Sequence, residues 1–323
     1  QLRLLHDPDD RFDALIALID GATHSIRAFY YMFDPDGVGQ AVMTALLNAL
    51  ERGVSVELAI DAFGSGRRHI DWFRQIERAG GRFFLFGAKR SVRYLIRNHQ
   101  KMLIIDGHTA LVGGFNITDQ YFGRSGAQSW EDLGLIVHGP TAAHLQDFYE
   151  GLRDLLTVDR ARLRDARSLI KGWQNRMQGP LKWIIGGPAP RLNPWALSLK
   201  RDMQHATRMD IASAYFSPAR GLLRRIAATH LRGGYSRLIL AGQTDNGATI
   251  GASRLLYGFL LRRCVRVYEF QPRLFHMKLL TIDDVTYIGS ANLDPRSLAI
   301  NLELMLRIDD AAFARHVRTT VIE

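Results

Sequence analysis

Cysteine is nearly absent. The single Cys264 rules out any disulfide within the chain, and its place between Arg263 and Val265 in a strand-like stretch marks it as structural. No stretch approaches the roughly 18 apolar residues that a bilayer-spanning helix needs. The chain opens at Gln1 rather than Met, so an upstream signal or membrane helix stays an open alternative. No Cys/His cluster has zinc spacing, and no Walker-type loop is present. Acidic residues are in deficit: 32 Asp and Glu face 42 Lys and Arg, a net charge of +10. That balance implies an anionic partner, whether nucleic acid, a membrane surface or a phosphate substrate, although an Arg-rich proteome gives the same balance.

What is present reads as globular. Hydrophobic residues make up 47% of the 323 positions, enough for one large core or two moderate ones. The chain also repeats itself. Ala22-Thr23-His24-Ser25-Ile26 leads into Phe29-Tyr30-Tyr31-Met32-Phe33, and Ala206-Thr207-Arg208-Met209-Asp210-Ile211 leads into Ala214-Tyr215-Phe216. A helical stretch follows each, over Gly39 to Arg52 and over Arg220 to Leu231. Both stop at glycine and give way to strands, Val54 to Ile60 and Arg237 to Leu240, then Phe83 to Phe86 and Val265 to Tyr268. Strands alternating with helices predict an α/β fold of two similar α/β/α sandwich lobes related by a pseudo-twofold axis, with the active site between them. The expected division is a first lobe over 1–155, a linker over 156–200 and a second lobe over 201–323.

The linker has its own composition. Arg160, Arg162, Arg164, Arg167, Lys171, Arg176 and Lys182 are interleaved with Trp173, Trp183, Trp195, Ile184-Ile185 and Pro188, Pro190 and Pro194. It reads either as a basic helix with a solvated face or as a membrane-facing segment, with tryptophans at headgroup depth and cations on lipid phosphates.

The chemistry lies in two copies of one motif. His99-Gln100-Lys101 is followed by Asp106 and by Gly113-Gly114-Phe115-Asn116. His276-Met277-Lys278 is followed by Asp283 and by Gly289-Ser290-Ala291-Asn292. Residues i and i+2 of a strand share a face, so each histidine and its lysine point the same way. Asp106-Gly107 is a favoured hairpin pair whose returning strand brings the glycines and Asn116 back beside the histidine. A phosphodiester needs charge or donors on its nonbridging oxygens, a nucleophile at phosphorus and a proton for the leaving oxygen. Lys101, Lys278, Asn116 and Asn292 can supply the first, and two imidazoles the others. One His-x-Lys is worthless as a signal; two with matching Lys and Asp offsets and a glycine-Asn tail are specific. The remaining histidines are scattered, and Gly64-Ser65-Gly66-Arg67-Arg68 reads as a turn rather than a phosphate loop.

From about Phe12 to Phe313 these motifs resemble the phospholipase D superfamily. Asn116-Ile117-Thr118-Asp119, Trp130-Glu131-Asp132, His138-Gly139-Pro140, Asn292-Leu293-Asp294-Pro295-Arg296-Ser297 and Asn301-Leu302-Glu303 resemble its bacterial cardiolipin synthase branch. The resemblance implies His99 as nucleophile and His276 as proton donor to the leaving alcohol. It implies an acidic residue after each histidine that orients it, Asp132 and Glu303. Asp106 and Asp283 would be structural, and Gly113, Gly114, Gly289 and Ser290 would meet phosphate or substrate. The implied reaction transfers a phosphatidyl group between phosphatidylglycerol molecules through a phosphohistidine, with an alcohol acceptor. No metal or other cofactor is expected, nucleic acid is not the expected partner, and the protein would work peripherally at the cytoplasmic face of a bacterial inner membrane. Hydrolysis to phosphatidic acid, nuclease activity and non-catalytic lipid binding are the rivals. Departures from the pattern are Gly113-Gly114 where relatives have Gly-Ser or Gly-Thr, and a second hairpin one residue short.

Overall fold

A computed structural model describes residues 1–65, 69–87, 97–157, 163–174, 179–188, 193–244 and 247–323. The chain divides into two compact units, one of Gln1–Ser129 with Gly134–Arg176, the other of Trp130–Leu133 with Met177–Glu323.

In the first unit, β1 (Leu2–Leu5) leads to α1 (Pro8–Asp20), whose N-terminus Asp7 caps by accepting the N–H groups of Asp9 and Asp10. β2 (Ser25–Tyr30), α2 (Gly37–Glu51) and β3 (Ser55–Asp61) follow, then the short α3 (Ile70–Phe73) and α4 (Gln75–Arg78), and β4 (Arg82–Phe86). The hairpin β5 (Met102–Ile105) and β6 (Thr109–Gly113) comes next, then β8 (Gly134–His138), α5 (Pro140–Thr157) and α6 (Leu163–Gln174); β7 (Trp130–Glu131), which precedes β8 in the chain, belongs to the second unit. The sheet of this unit runs β1-β8-β6-β5-β2-β3-β4. β2, β3 and β4 are parallel, joined by helical crossovers, and the other neighbours are antiparallel.

The second unit holds β9 (Leu181–Gly186), α7 (Pro194–Asp202), β10 (Arg208–Ser213), α8 (Arg220–Ala227), β11 (Tyr235–Ala241), α9 (Gly247–Leu261) and β12 (Arg266–Phe270). β13 (Leu274–Phe275), β14 (Lys278–Ile282), β15 (Val285–Gly289), α10 (Pro295–Ala299), β16 (Glu303–Asp309) and α11 (Ala311–Val317) complete it. Its sheet runs β9-β16-β15-β14-β10-β11-β12, the order of the first sheet strand for strand. The expected duplication is therefore a duplication of topology. The expected helix over Arg220 to Leu231 ends early, because Thr229 turns its hydroxyl onto the Ile226 carbonyl and a short 3-10 turn, His230–Arg232, follows.

The membrane-facing reading of the tryptophan segment is corrected. Trp173, Trp183 and Trp195 are 5%, 1% and 0% exposed, so none reaches a headgroup. Trp173 packs on Phe148 of α5 and donates its indole N–H to the His144 carbonyl at 2.8 Å. Trp183, Ile184 and Ile185 lie in β9, paired with β16. Trp195, on α7, meets Tyr287 edge-on at 5.2 Å within a core that includes Leu199, Met209 and Ile211. β9 and α7 are the counterparts of β1 and α1. Arg160, Arg162, Arg176 and Pro190 lie outside the described residues, as do Gly66, Arg67 and Arg68 of the glycine-basic turn.

Candidate functional site

Each motif hangs on a hairpin, and an aspartate ties each hairpin to a neighbouring strand. Asp106 has φ 51° and Asp283 φ 47°, left-handed values that aspartate tolerates better than most residues. The Asp106 carboxylate accepts the N–H groups of Thr23, His24 and Ser25 and the Thr23 hydroxyl at 2.7–2.9 Å. Asp283 repeats this with the N–H groups of Thr207 and Arg208 and the Thr207 hydroxyl. Partial burial pushes the Asp106 carboxyl up, but the Ser25, Thr23 and His24 donors outweigh it and hold it well below the usual carboxylate range.

In the second unit the histidine sits in a built setting. His276 is 5% exposed, and β13, just before it, pairs in parallel with β7, so that the His276 N–H donates to the Glu131 carbonyl at 2.8 Å. The next residue, Asp132, places its carboxylate 2.7 Å from His276 Nδ1. A carboxylate only accepts, so Nδ1 carries the proton in this pair. Lys278 Nζ lies 2.6 Å from the same Nδ1 and also donates to the His276 carbonyl. An ammonium cannot bond to a protonated nitrogen, so the carbonyl is its acceptor and the Nδ1 proton belongs to Asp132. The rings of Trp130 and Tyr215 meet the imidazole edge-on at 5.0 and 6.4 Å.

This placement departs from the sequence expectation. Asp132 follows the first histidine in the chain but holds the second, because β7 leaves the first sheet's run of strands to pair with β13. Glu303 is fully buried, with one carboxylate oxygen accepting the Ser290 hydroxyl at 2.6 Å and the other the Ser297 hydroxyl at 2.7 Å. Ser290 also accepts the Leu304 N–H, and a Cβ at Gly289 would meet the Leu304 carbonyl oxygen at 2.0 Å. Gly289 and Ser290 thus serve the approach of β16 and the setting of Glu303. Asn292 is 3% exposed, and its side-chain oxygen has no partner among the described residues.

In the first unit, Lys101 is buried and donates to the His99 carbonyl at 2.6 Å, the counterpart of Lys278. The Tyr31 ring meets the half-buried His99 edge-on at 5.0 Å. Asn116 is held in place: its oxygen accepts the Met32 N–H and its amide donates one hydrogen bond to the Tyr121 hydroxyl. Gly113 ends β6 opposite Gly134, and Gly114 follows it, also buried.

Sequence reasoning missed Asp61. Buried at the end of β3, it accepts the Asn98 N–H at 2.9 Å with one oxygen and the Phe63 N–H at 2.8 Å with the other, fixing the chain one residue before His99. Burial raises its pKa against the pull of those donors and of Arg97. The signal available was its place at the carboxyl end of a parallel strand, where α/β sheets collect functional groups. Gly64 nearby has no substitute, since a Cβ there would lie 1.9 Å from the Tyr31 carbonyl oxygen.

Two sheets of one strand order, each carrying a His-x-Lys hairpin, define a duplicated phospholipase D-like enzyme. The chain matches the family described as "Cardiolipin synthase, PLD-like domain" over residues 15–153 and 199–322. It is 31% identical to cardiolipin synthase A of Pseudomonas putida (strain W619), over 99% of this chain and 67% of that protein. It is 30% identical to cardiolipin synthase B of Salmonella typhimurium, over 98% of this chain and 78% of that one. A crystal structure of phosphatidylserine synthase from Haemophilus influenzae shares the fold, with a TM-score of 0.75 at 19% identity over 99% of this chain and 84% of that one. This chain belongs to the cardiolipin synthase family of phospholipase D-like proteins.

Proposed function

We propose that the protein is a phosphatidyltransferase of the cardiolipin synthase type, acting on phosphatidylglycerol with an alcohol acceptor through a phosphohistidine. The His99 imidazole forms a P–N bond as the P–O bond to the headgroup breaks. His276 Nε2 gives its proton to the departing alkoxide oxygen. The acceptor hydroxyl then loses its proton to the same nitrogen as its oxygen displaces His99 from phosphorus. Lys101 and Lys278 supply positive charge for the nonbridging oxygens. Asp132 stabilises the imidazolium that the second histidine must become to act as an acid.

The observation that carries this reading is the Asp132–His276 pair, 2.7 Å apart, on a motif that occurs twice. A carboxylate on Nδ1 is how an imidazole is held in one tautomer for proton transfer. The test is to incubate the protein with phosphatidylglycerol and resolve the products by mass. Cardiolipin and glycerol are expected, and each of His99→Ala and His276→Ala should lower the rate by more than about three orders of magnitude. Phosphatidic acid as the sole product would make it a hydrolase. Near wild-type turnover by either variant would end the two-histidine mechanism.

A further inference from the structure

Helix α9 is apolar in the wrong place. It carries one charged side chain, Arg254, in fifteen residues, yet only Ser253 and Leu260 are buried. A helix this apolar is ordinarily interior or covered by something. Its inner side is accounted for: Ser253 donates to the Phe216 carbonyl at 2.9 Å, and Leu256, Tyr257 and Phe259 lean on the core. Its outer side is not. Ala248, Gly251, Ala252, Leu255 and Gly258 are exposed at helical spacing, and Leu255 and Leu261 are 85% and 55% exposed.

Beyond one internal ion pair, the charge along this stripe is basic. Arg254 is tied off by two hydrogen bonds to Glu269, both 2.8 Å. Arg262, Arg263 and Arg266 are exposed where the helix ends, and no Asp or Glu occurs from Asn246 to Tyr268. The other end of α9 follows β11, and beyond that strand the Gln243 carbonyl accepts the N–H of Phe275, the neighbour of His276. The stripe runs about 22 Å, at 1.5 Å per residue, and ends at the exposed Arg262 and Arg263.

We infer that the outer face of α9 rests on an anionic phospholipid bilayer, with the helix in the plane of the interface and Arg262, Arg263 and Arg266 on lipid phosphates. The choice of a bilayer rests on the phosphatidyltransferase reading and on charge. Self-pairing would bring two basic faces together, with Glu269 already paired to Arg254 and so not supplying a carboxylate for Arg262, Arg263 and Arg266. An anionic surface neutralises them and covers the leucines at once.

The protein supplies its own reporter. Cys264 is the only cysteine and is exposed, two residues beyond Arg262. An environment-sensitive fluorophore on Cys264 should shift to the blue with vesicles of phosphatidylcholine and phosphatidylglycerol, and not with phosphatidylcholine alone. Leu255→Asp with Leu261→Asp, and separately Arg262→Glu with Arg263→Glu, should weaken co-sedimentation with anionic vesicles by at least about tenfold, given about fivefold per basic residue at such a surface. Turnover of monomeric dihexanoyl phosphatidylglycerol should stay unchanged in both variants. Binding to anionic vesicles without a spectral shift, or leucine variants that bind like the parent, would overturn the proposal. So would a lipid-free shift that grows with protein concentration, the mark of a second copy. α9-dependent binding without turnover of any phospholipid would instead overturn the transferase reading and leave the docking face standing.

Discussion

Asp132 decides the state of one imidazole by proximity alone, 2.7 Å from Nδ1 and 1% exposed. Asp132→Asn keeps its volume and removes its charge, so His276 loses both the fixed tautomer and the stabilised imidazolium. Comparable changes at carboxylate–histidine pairs cost about four orders of magnitude in kcat. We expect a fall of at least about a hundredfold in kcat, little change in KM and a melting temperature close to the parent's. A variant within twofold of parent turnover would show that Asp132 does not set His276. The lysines permit a second test at this scale. Lys101 and Lys278 bring cationic charge beside both histidines, so activity should persist in EDTA; loss in chelator with recovery on adding magnesium or zinc would contradict that. The histidines and lysines were legible because a repeated pattern of side-chain types survives in linear form. The partner of His276 was not, since Asp132 lies 144 residues away from it in the chain and only 33 after His99, and spacing alone points to the wrong histidine.

The hairpin is the element that carries each motif, and its aspartate clamp gives it a pH dependence. The Asp106 carboxyl is depressed when folded. Its contribution is therefore present above the ordinary carboxylate pKa of about 3.9 and is lost as pH falls through the lower folded value. Asp106→Asn should cost about 1–2 kcal/mol at neutral pH, the modest end for hydrogen bonds to a partly solvated charge. The gap between parent and variant should narrow as the pH is lowered below about 4. Urea melts at pH 7 and pH 3 measure both quantities; an unchanged gap at pH 3 would assign the loss to packing. Elements of this kind were readable from their turn chemistry, as the Asp-Gly pair and the one-residue-shorter second loop show. β9 was not. Its run of Trp183, Ile184 and Ile185 is buried, and a continuous apolar run carries no period that tells a covered strand from a lipid-facing segment. The same weakness hid α9, whose apolar sequence looks interior until its exposure is seen.

At the scale of the molecule, the basic charge and the tryptophans have separate tasks. Net charge is +10, but the indoles of Trp173, Trp183 and Trp195 face the interiors of their own units, while Arg262, Arg263 and Arg266 are exposed. A tryptophan at an interface contributes to binding; one in a core contributes to folding, at about 3–5 kcal/mol for truncation to alanine. Trp195→Ala opens a void against Tyr287 and removes a fully buried ring from the second unit's core. We expect that variant to lose about this much stability and to melt several degrees lower. Its affinity for anionic vesicles, measured below its melting temperature, should match the parent's, because the indole touches no solvent. The outcome that would reverse this is a stable Trp195→Ala protein with weakened vesicle binding, which would return the tryptophan to the membrane. Trp183→Ala, in β9, gives an independent repeat of the measurement, since its ring is 1% exposed on a different element of the same sheet-bearing unit.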